Sequence, residues 1–586
     1  MITPNRFNKN TIGEMLCRRA TFLPGSIAYS FPETGQVYTW KKTYTEVRVI
    51  AEGLIIRGIK KGDRIAVLME DRMEVILTMF AAATIGAIAV PINSYSKKDE
   101  LKSYFFDARP SVLIMGTTGH HLNYCAMVKA IMAEADPKDN YLMPANIFVV
   151  GDQEEANPFA NFSDLLNHPT QMSDDDFVAA CALTLADDPV LLLYTSGTTG
   201  TPKGVLRSAA SFLVSKDKKA KSPGRLKARI MKKLDHLSNR FRLINLLPLY
   251  HLGGVSTLFT TLKASNFRVV ILSHFNPVNA IDIIEKEKCQ FLVGTPYMIQ
   301  NMINILPEGS RKFDTIKGIA FASAAINGMM IDKISARFKK LYFFTVSYGS
   351  SEAGNVANGT CILNKANDAY IAFFLRFLTK MGLLNGVIKL KEFSKTPYSI
   401  GGRIDKNVEV KIRDVQSGEF VPVGSEGEIV IKSHRVMRYT TEAAVTESFL
   451  GDGWFRSGDM GYVGEKGLLI ISGRIKRLIS RGGEKVSPAE IENIILADKA
   501  ILDAFVVGIP DELYGEQICA AVVARDITTV DIPQLKEQLQ KRLSTFKLPK
   551  YFVVLPNFPL SSTGKIATDH IKELALQKIN NGDYYS

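Results

Sequence analysis

The chain of 586 residues is longer than one hydrophobic core supports, so at least two domains are expected. Its apolar content of 46% and charged content of 22% are those of a folded protein and argue against disorder. Six scattered cysteines (Cys17, Cys125, Cys181, Cys289, Cys361, Cys519) with no paired or metal-ligand spacing argue against a disulfide framework and a zinc site, and they suit a reducing cytosol.

The N-terminal MITPNRFNKNTIGEML lacks the apolar core of a signal peptide, so export is not expected. Residues 75–93 (VILTMFAAATIGAIAVPIN) are long and uncharged enough to raise a membrane span. The favoured reading is a buried helix, a turn at Gly86 and a short buried strand closed by Pro91. PVLLLYTS (189–196) has the content of a buried strand, and TTGTPKG follows as a loop. Glycines there let the backbone approach an anion, hydroxyls donate to its oxygens and a lysine neutralises charge. Ser196, Thr198, Thr199 and Lys203 are therefore a candidate polyphosphate cradle. A Walker A loop is excluded, because Pro202 stands where its second glycine should be and Gly204 where it has Ser or Thr.

The net charge of +13 is concentrated between Lys216 and Arg242, where eleven Lys or Arg face two Asp. No aromatic-interleaved stripe or RNA-binding motif accompanies it, so nucleic acid is a poorer partner than small phosphate-bearing molecules or an anionic membrane surface. Leu226, Ile230, Leu234, Leu237 and Phe241 would form one apolar stripe on a helix through this segment. With the apolar stretch 369–390 (AYIAFFLRFLTKMGLLNGVIKL), that helix is a candidate for a peripheral membrane face; the plainer reading packs both stripes onto the large domain.

His251 follows Tyr250 at what reads as a strand end, and FASAAI (321–326) follows the strand-like IKGIAF. Asp459 falls in a tight turn, SGDMG, and Arg474 comes just after the apolar LLIIS. Ser487 reads as a helix cap with Pro488 in the first turn and Glu490 closing a capping box. A strand AFVVGI, a helix with Ile532, Leu535, Leu539 and Leu543 on one face, and a strand YFVVL then complete a compact α+β unit. Alternating helices and strands from about residue 10 to 473 imply a large multi-layer α/β domain.

YTSGTTGTPKGV (194–205) resembles the phosphate-loop signature of the adenylate-forming superfamily, which includes acyl-CoA synthetases, peptide-synthetase adenylation domains and firefly-type luciferases. LPLYHLGG (247–254), YGSSE (348–352), GWFRSGDMGYV (453–463), GRIKRLISRGGEKVSPAEIE (473–492) and PLSSTGK (559–565) resemble its further motifs, in order and over nearly the whole chain.

The resemblance implies an N-terminal AMP-binding domain over 1–475, a small mobile C-terminal domain over 477–586 and a hinge at Lys476, where Arg477 replaces the family's usual acidic neighbour. It places Thr195, Ser196, Gly197, Thr198, Thr199, Gly200, Lys203, Ala324, Tyr348, Gly349, Ser351, Asp459 and Arg474 around ATP or AMP. Asp459 would take the ribose hydroxyls, and Ala324 belongs to a loop whose usual glycines have become Ala and Ile. Tyr250, His251 and Gly349 fall at the acyl pocket, and Gly482 and Gly483 at a tunnel for pantetheine. Glu352 would hold magnesium, while Lys203 and Lys565 counter the charge that develops when a carboxylate attacks the α-phosphorus.

The expected activity is ATP-dependent activation of a carboxylic acid, medium- or long-chain or otherwise hydrophobic, through an acyl-adenylate and its transfer to coenzyme A. The alternatives are a free-standing enzyme that loads a carrier-protein phosphopantetheine, and an inactive nucleotide-binding scaffold. The resemblance names neither the acid nor the oligomeric state.

Overall fold

The computed structural model describes residues 2–134, 143–144, 146–151, 158–167, 172–195, 203–213, 238–263, 266–307, 309–310, 312–322, 326, 328–363, 375, 386–394, 398–433, 436, 440, 445–446, 448–482, 484–498, 500–524, 530–561 and 564–585. Ser196, Gly197, Thr198, Thr199, Gly200, Ala324 and Gly483 lie outside these residues, as does most of the basic segment and of 369–390.

A large N-terminal domain and a small C-terminal domain make up this mixed α/β fold, built on three main sheets among the described residues. One sheet of the large domain runs through strands Lys203–Ser208, Pro189–Thr195, Ile88–Pro91, Arg64–Leu68, Val112–Gly116, Asn146–Val150 and Ala160–Asn161. A second starts at the edge strand Gln36–Thr39, antiparallel to Ile27–Phe31, and then runs parallel through Ile27–Phe31, Arg268–Ile271, Arg242–Asn245, Phe291–Gly294, Gly318–Phe321 and Phe343–Ser350. From Phe343–Ser350 onward it continues antiparallel, through Gly354–Ile362, Ser399–Ile404, Leu468–Arg474 and Phe455–Val463. Crevices at the carboxyl ends of parallel strands are where such sheets bind ligands, and here the last parallel strand ends in the YGS of the YGSSE motif.

The apolar run 75–93 takes the buried course expected of it. Met73–Thr84 is a helix buried at every position except Glu74, the chain turns at Gly86, and Ile88–Pro91 is a fully buried strand. An all-round apolar helix belongs inside a large core. No described helix is long and apolar enough to cross a membrane.

Phe241 departs from the expected stripe. It precedes the strand Arg242–Asn245 outside any helix, and its ring packs edge-on against Phe267 (6.1 Å) and Phe291 (5.8 Å). The end of the basic segment is thus anchored to the sheet by aromatic packing, which periodicity could not distinguish from one more helical turn.

The small domain carries strands Ile479–Arg481, Glu484–Val486, Ile501–Asp511, Gly515–Ala524 and Tyr551–Leu555, backed by helices Pro488–Ile495, Ile532–Gln540 and Thr568–Asn580. Ile491 and Ile495 are buried as their spacing predicts, as are Ile532, Leu535 and Leu539. The capping box at Ser487 does not form: the Ser487 side chain makes no cap bond, and the Glu490 carboxylate pairs with Lys547 at 2.8 Å. A tertiary cation has outcompeted the local backbone donor. Between the domains, Lys333 Nζ donates to the carbonyls of Ile501 (2.8 Å) and Leu502 (3.0 Å).

Candidate active site

Two antiparallel strands set the register of the polar end of the site. Asp459 pairs with Arg474 across the ladder, so their side chains meet, with Arg474 Nε 2.9 Å from Asp459 Oδ1. Asp459 is therefore within the strand Phe455–Val463 and not in a free turn. Its other oxygen accepts from Tyr348 Oη at 2.8 Å, and its amide donates to Ser457 Oγ at 3.0 Å. Burial pushes the Tyr348 hydroxyl well above its ordinary range, and the Asp459 charge adds to this, so Tyr348 stays a neutral donor. This three-residue cluster offers an anionic acceptor beside a cation and an aromatic ring, suited to a ribose diol next to phosphate.

The hairpin 189–208 explains the position of Lys203. Thr195 pairs with Lys203 across an antiparallel ladder, so the glycine-rich segment joins two strands and does not lead into a helix. Gly349 lies on the next wall, where an added Cβ would collide with the Gly354 carbonyl; only glycine permits that close turn into Glu352.

A cavity of about 910 Å3 takes in Lys203, Tyr348, Gly349, Ser350, Ser351, Glu352, Asp459, Arg474, Lys476, His251 and Lys565. Lys565 is exposed to the space of this cavity, yet the surrounding walls limit its hydration, and this first and the Arg474 charge second lower its ammonium to about 8 against the opposing pull of Asp459 and Glu352. Lys565 in turn acts on His251, which burial first and the Lys565 charge second lower to about 3. His251 is thus a neutral imidazole, its Nε2 without a hydrogen-bond partner among the described residues, at the residue preceding helix Leu252–Lys263 and not at a strand end. Glu352 sits beside the Ser350 and Ser351 segment with a carboxylate able to serve as one magnesium ligand; that ion characteristically takes one or two carboxylates and fills its other positions with phosphate oxygens and water.

Away from these polar groups the cavity runs along helix Leu252–Lys263, whose Gly253, Ser256, Thr257, Thr260 and Thr261 share a face. Opposite are Leu243, Val293, Ala320 and Thr345 of the parallel strands. Thr257 and Thr261 donate their hydroxyls back to carbonyls of their own helix (Gly253, 3.4 Å; Leu258, 2.8 Å), while Ser256 and Thr260 add further hydroxyls, so this arm joins an apolar wall to a hydroxyl-bearing one. Arg207, only 2% exposed, lies 5.1 Å over the Phe212 ring at the cavity, its Nη1 3.4 Å from the Ser351 carbonyl. The sequence reading missed Arg207 and the helix face; a charged residue inside the apolar run VLRS was the available signal for the first.

Two expected residues fall elsewhere. Tyr250 is buried and lines a second, smaller cavity of about 440 Å3, because successive residues at a helix entrance point to different sides. Gly482, with a positive φ of 58° in the hairpin Ile479–Val486, lines neither cavity. In this arrangement the small domain turns its Lys565 loop to the site. The Gly564 carbonyl accepts from Thr295 Oγ1 at 2.7 Å, and Leu560, Ser561 and Gly564 line the second cavity.

Residues 16–439 match the family model described as AMP-binding enzyme, and residues 490–565 match that of the AMP-binding enzyme C-terminal domain. The chain belongs to the AMP-binding enzyme family, the adenylate-forming superfamily. It is 28% identical to the long-chain-fatty-acid–CoA ligase FadD13 of Mycobacterium tuberculosis, over 96% of this chain and 98% of that one. It is 26% identical to the mitochondrial medium-chain acyl-CoA ligase ACSF2 of Danio rerio, over 98% and 89%. Its fold matches a structure of the anthranilate CoA ligase AuaEII in complex with anthranoyl-AMP, with TM-score 0.75, 19% identity and coverage of 97% and 98%. A fatty acyl CoA synthetase of Mycobacterium tuberculosis also superposes, with TM-score 0.61, 25% identity and coverage of 96% and 98%.

Proposed function

We propose that this chain is an AMP-forming acid:CoA ligase acting on a hydrophobic carboxylic acid. The observation that supports it most is a single cavity in which Tyr348, Asp459 and Arg474, Lys565 and Glu352 share one space with an arm walled on one side by Leu243, Val293 and Ala320 and on the other by the small residues of the helix Leu252–Lys263. From Gly253 to Thr261 the helix bordering that arm rises about 12 Å, room for an extended chain of roughly eight to ten carbons. In the first step a carboxylate oxygen of the acid attacks the α-phosphorus of ATP and pyrophosphate leaves. In the second the thiol of coenzyme A attacks the carbonyl and AMP leaves.

Asp459 accepts from the ribose hydroxyls, with Tyr348 and Arg474 fixing its orientation. Lys203 and Lys565 offset the repulsion between carboxylate and phosphates, and His251 borders the acyl group as a neutral ring. Glu352 would hold magnesium, which when bound neutralises phosphate charge. Lys476 is the pivot between residues 1–475 and 477–586, whose rotation would withdraw Lys565 and bring Gly482 and Gly483 to a pantetheine passage. The basic segment extends the proposal to a peripheral membrane contact, testable by salt-sensitive co-sedimentation with anionic vesicles.

The test is acid-dependent ATP–pyrophosphate exchange over a panel of fatty, aryl and short-chain acids, followed by addition of coenzyme A. Exchange with medium- or long-chain acids and release of acyl-CoA are expected. Exchange without transfer to coenzyme A would redirect the reading to a carrier-protein thiol, and no exchange with any acid would refute it. Lys565→Ala should lose about a hundredfold in exchange while keeping thioester formation from supplied acyl-AMP.

A further inference from the structure

At the edge of the second cavity, lined by His120 and His274, lies a constellation that the ligase chemistry does not use. Glu70, His120 and His274 each present one ligand-type atom, all within 4.8 Å of one another. Each comes from a different segment: Glu70 follows the strand Arg64–Leu68, His120 tips the hairpin Thr118–Asn123, and His274 follows the strand Arg268–Ile271. Glu70 adjoins one large sheet, His120 belongs to a separate two-stranded hairpin that follows the strand Val112–Gly116 of that sheet, and His274 adjoins the other large sheet.

The hairpin is built in an unusual way. His120 and His121 occupy its two turn positions with φ of 50° and 66°, a conformation for which Asn-Gly is the ordinary choice. Non-glycine residues held there mark sites where a side chain is wanted. The His120 ring is pinned: it stacks on Tyr95 at 3.5 Å, and its Nε2 lies 2.9 Å from the hydroxyl of the buried Ser94. That leaves Nδ1 pointing at Glu70 Oε1, 3.2 Å away, which is itself held by the His120 amide at 2.9 Å. His274 stands edge-on to His120, ring centres 5.4 Å apart, with Nδ1 3.2 Å from Ser273 Oγ and Nε2 as its remaining ligand atom. A hydrogen-bond partner on the far nitrogen orients the ring of a metal-bound histidine; the usual partner is a carboxylate, carbonyl or water, and here a serine hydroxyl stands in that place.

We propose that Glu70, His120 and His274 bind a divalent transition-metal ion of the zinc type. Two imidazoles and one carboxylate are the donor set of zinc sites with an open fourth position, and a poor set for magnesium or calcium. The scattered cysteines have no bearing on a site made of nitrogen and oxygen. Only His274, the exposed member, has to turn to close the coordination shell. The open position would face the second cavity, which His120 and His274 line along with Asn245; Asn245 is 2% exposed and its Oδ1 has no hydrogen-bond partner among the described residues. An ion here staples the two sheets where the Asp71 amide already donates to the Ser273 carbonyl at 3.0 Å, on the wall that also receives the loop preceding Lys565.

The experiment uses the tag-free full chain, stripped with chelator and titrated with zinc or cobalt alone, without nucleotide. One ion per chain, a thermal midpoint that rises with zinc concentration, and the visible absorption of a low-symmetry cobalt site are expected. His274→Ala should weaken zinc binding about tenfold or more, and Ser94→Ala, which frees the His120 ring, by roughly tenfold. Acid-dependent exchange in metal-stripped buffer resupplied with magnesium should be unchanged in His274→Ala, which separates loss of the site from loss of the fold. Absence of saturable binding, or equal zinc affinity in the wild type, His274→Ala and Glu70→Gln, would overturn the proposal.

Discussion

Thr295 Oγ1 donates a 2.7 Å hydrogen bond to the carbonyl of Gly564, tying a helix start in the large domain to the loop that carries Lys565. Gly564 has φ of 70°, and a Cβ added there would drive into Met298, whose Sδ would lie at 2.9 Å. Gly564→Ala is therefore expected to push the lysine loop out of the site. Overpacking of this kind costs about 1–3 kcal/mol, so ATP–pyrophosphate exchange should fall roughly tenfold or more, while thioester formation from supplied acyl-AMP holds. Adding Met298→Ala should recover part of the loss. Equal damage to both half-reactions would separate this contact from adenylation.

The Lys565 ammonium, lowered to about 8 by limited hydration and the Arg474 charge, must be protonated to stabilise developing negative charge. Deprotonation sets in as pH rises through that value, so kcat/KM for ATP in the free enzyme should fall tenfold per pH unit above about pH 8. Bound phosphates favour the charged form, so the corresponding limb in kcat should lie at higher pH. Lys565→Arg, which does not titrate in this range, should be slower but lack the alkaline limb. A wild-type profile flat to pH 10 would remove Lys565 from the charge-bearing role.

Glu352→Gln exchanges a carboxylate for an amide at the wall of the main cavity. Expected is a rise of about tenfold in the magnesium concentration needed for half-maximal exchange, with partial rescue by excess magnesium. An unaltered magnesium curve would exclude Glu352 from the metal site.

Asp503 is buried in the strand Ile501–Asp511, and burial raises its carboxyl from 3.8 to about 7, partly offset by the Ala504 amide and the Lys333 charge. The folded state therefore holds a proton that the unfolded state has released. Its contribution to stability is full below the unfolded value and is lost as pH rises through the folded one. Denaturation midpoints of the wild type should decline between about pH 4 and 7 relative to those of Asp503→Asn and run parallel to them above about pH 8. Parallel curves throughout would show that Asp503 stays ionised.

The helix–turn–strand course of 75–93, the buried strand before the phosphate loop and the buried faces of the small-domain helices were legible in the sequence, because burial periodicity is a local property of the chain. The family motifs were legible too, and they drew attention to Asp459, Arg474, Glu352 and Lys565 before any geometry was known. The pairing of Asp459 with Arg474 was not, since it depends on the register of two strands. Nor was the closeness of Lys565 and His251, separated by more than three hundred residues and joined by the orientation of the small domain. Tertiary structure alone drew Glu490 from its local cap to Lys547, turned Tyr250 toward a second cavity, and set His120 and His274 from different sheets against one carboxylate. Local pattern specifies which face of an element is buried; what that face meets is decided by the packing of distant segments, where a competing charge or ring can outweigh a preference worth about 1 kcal/mol.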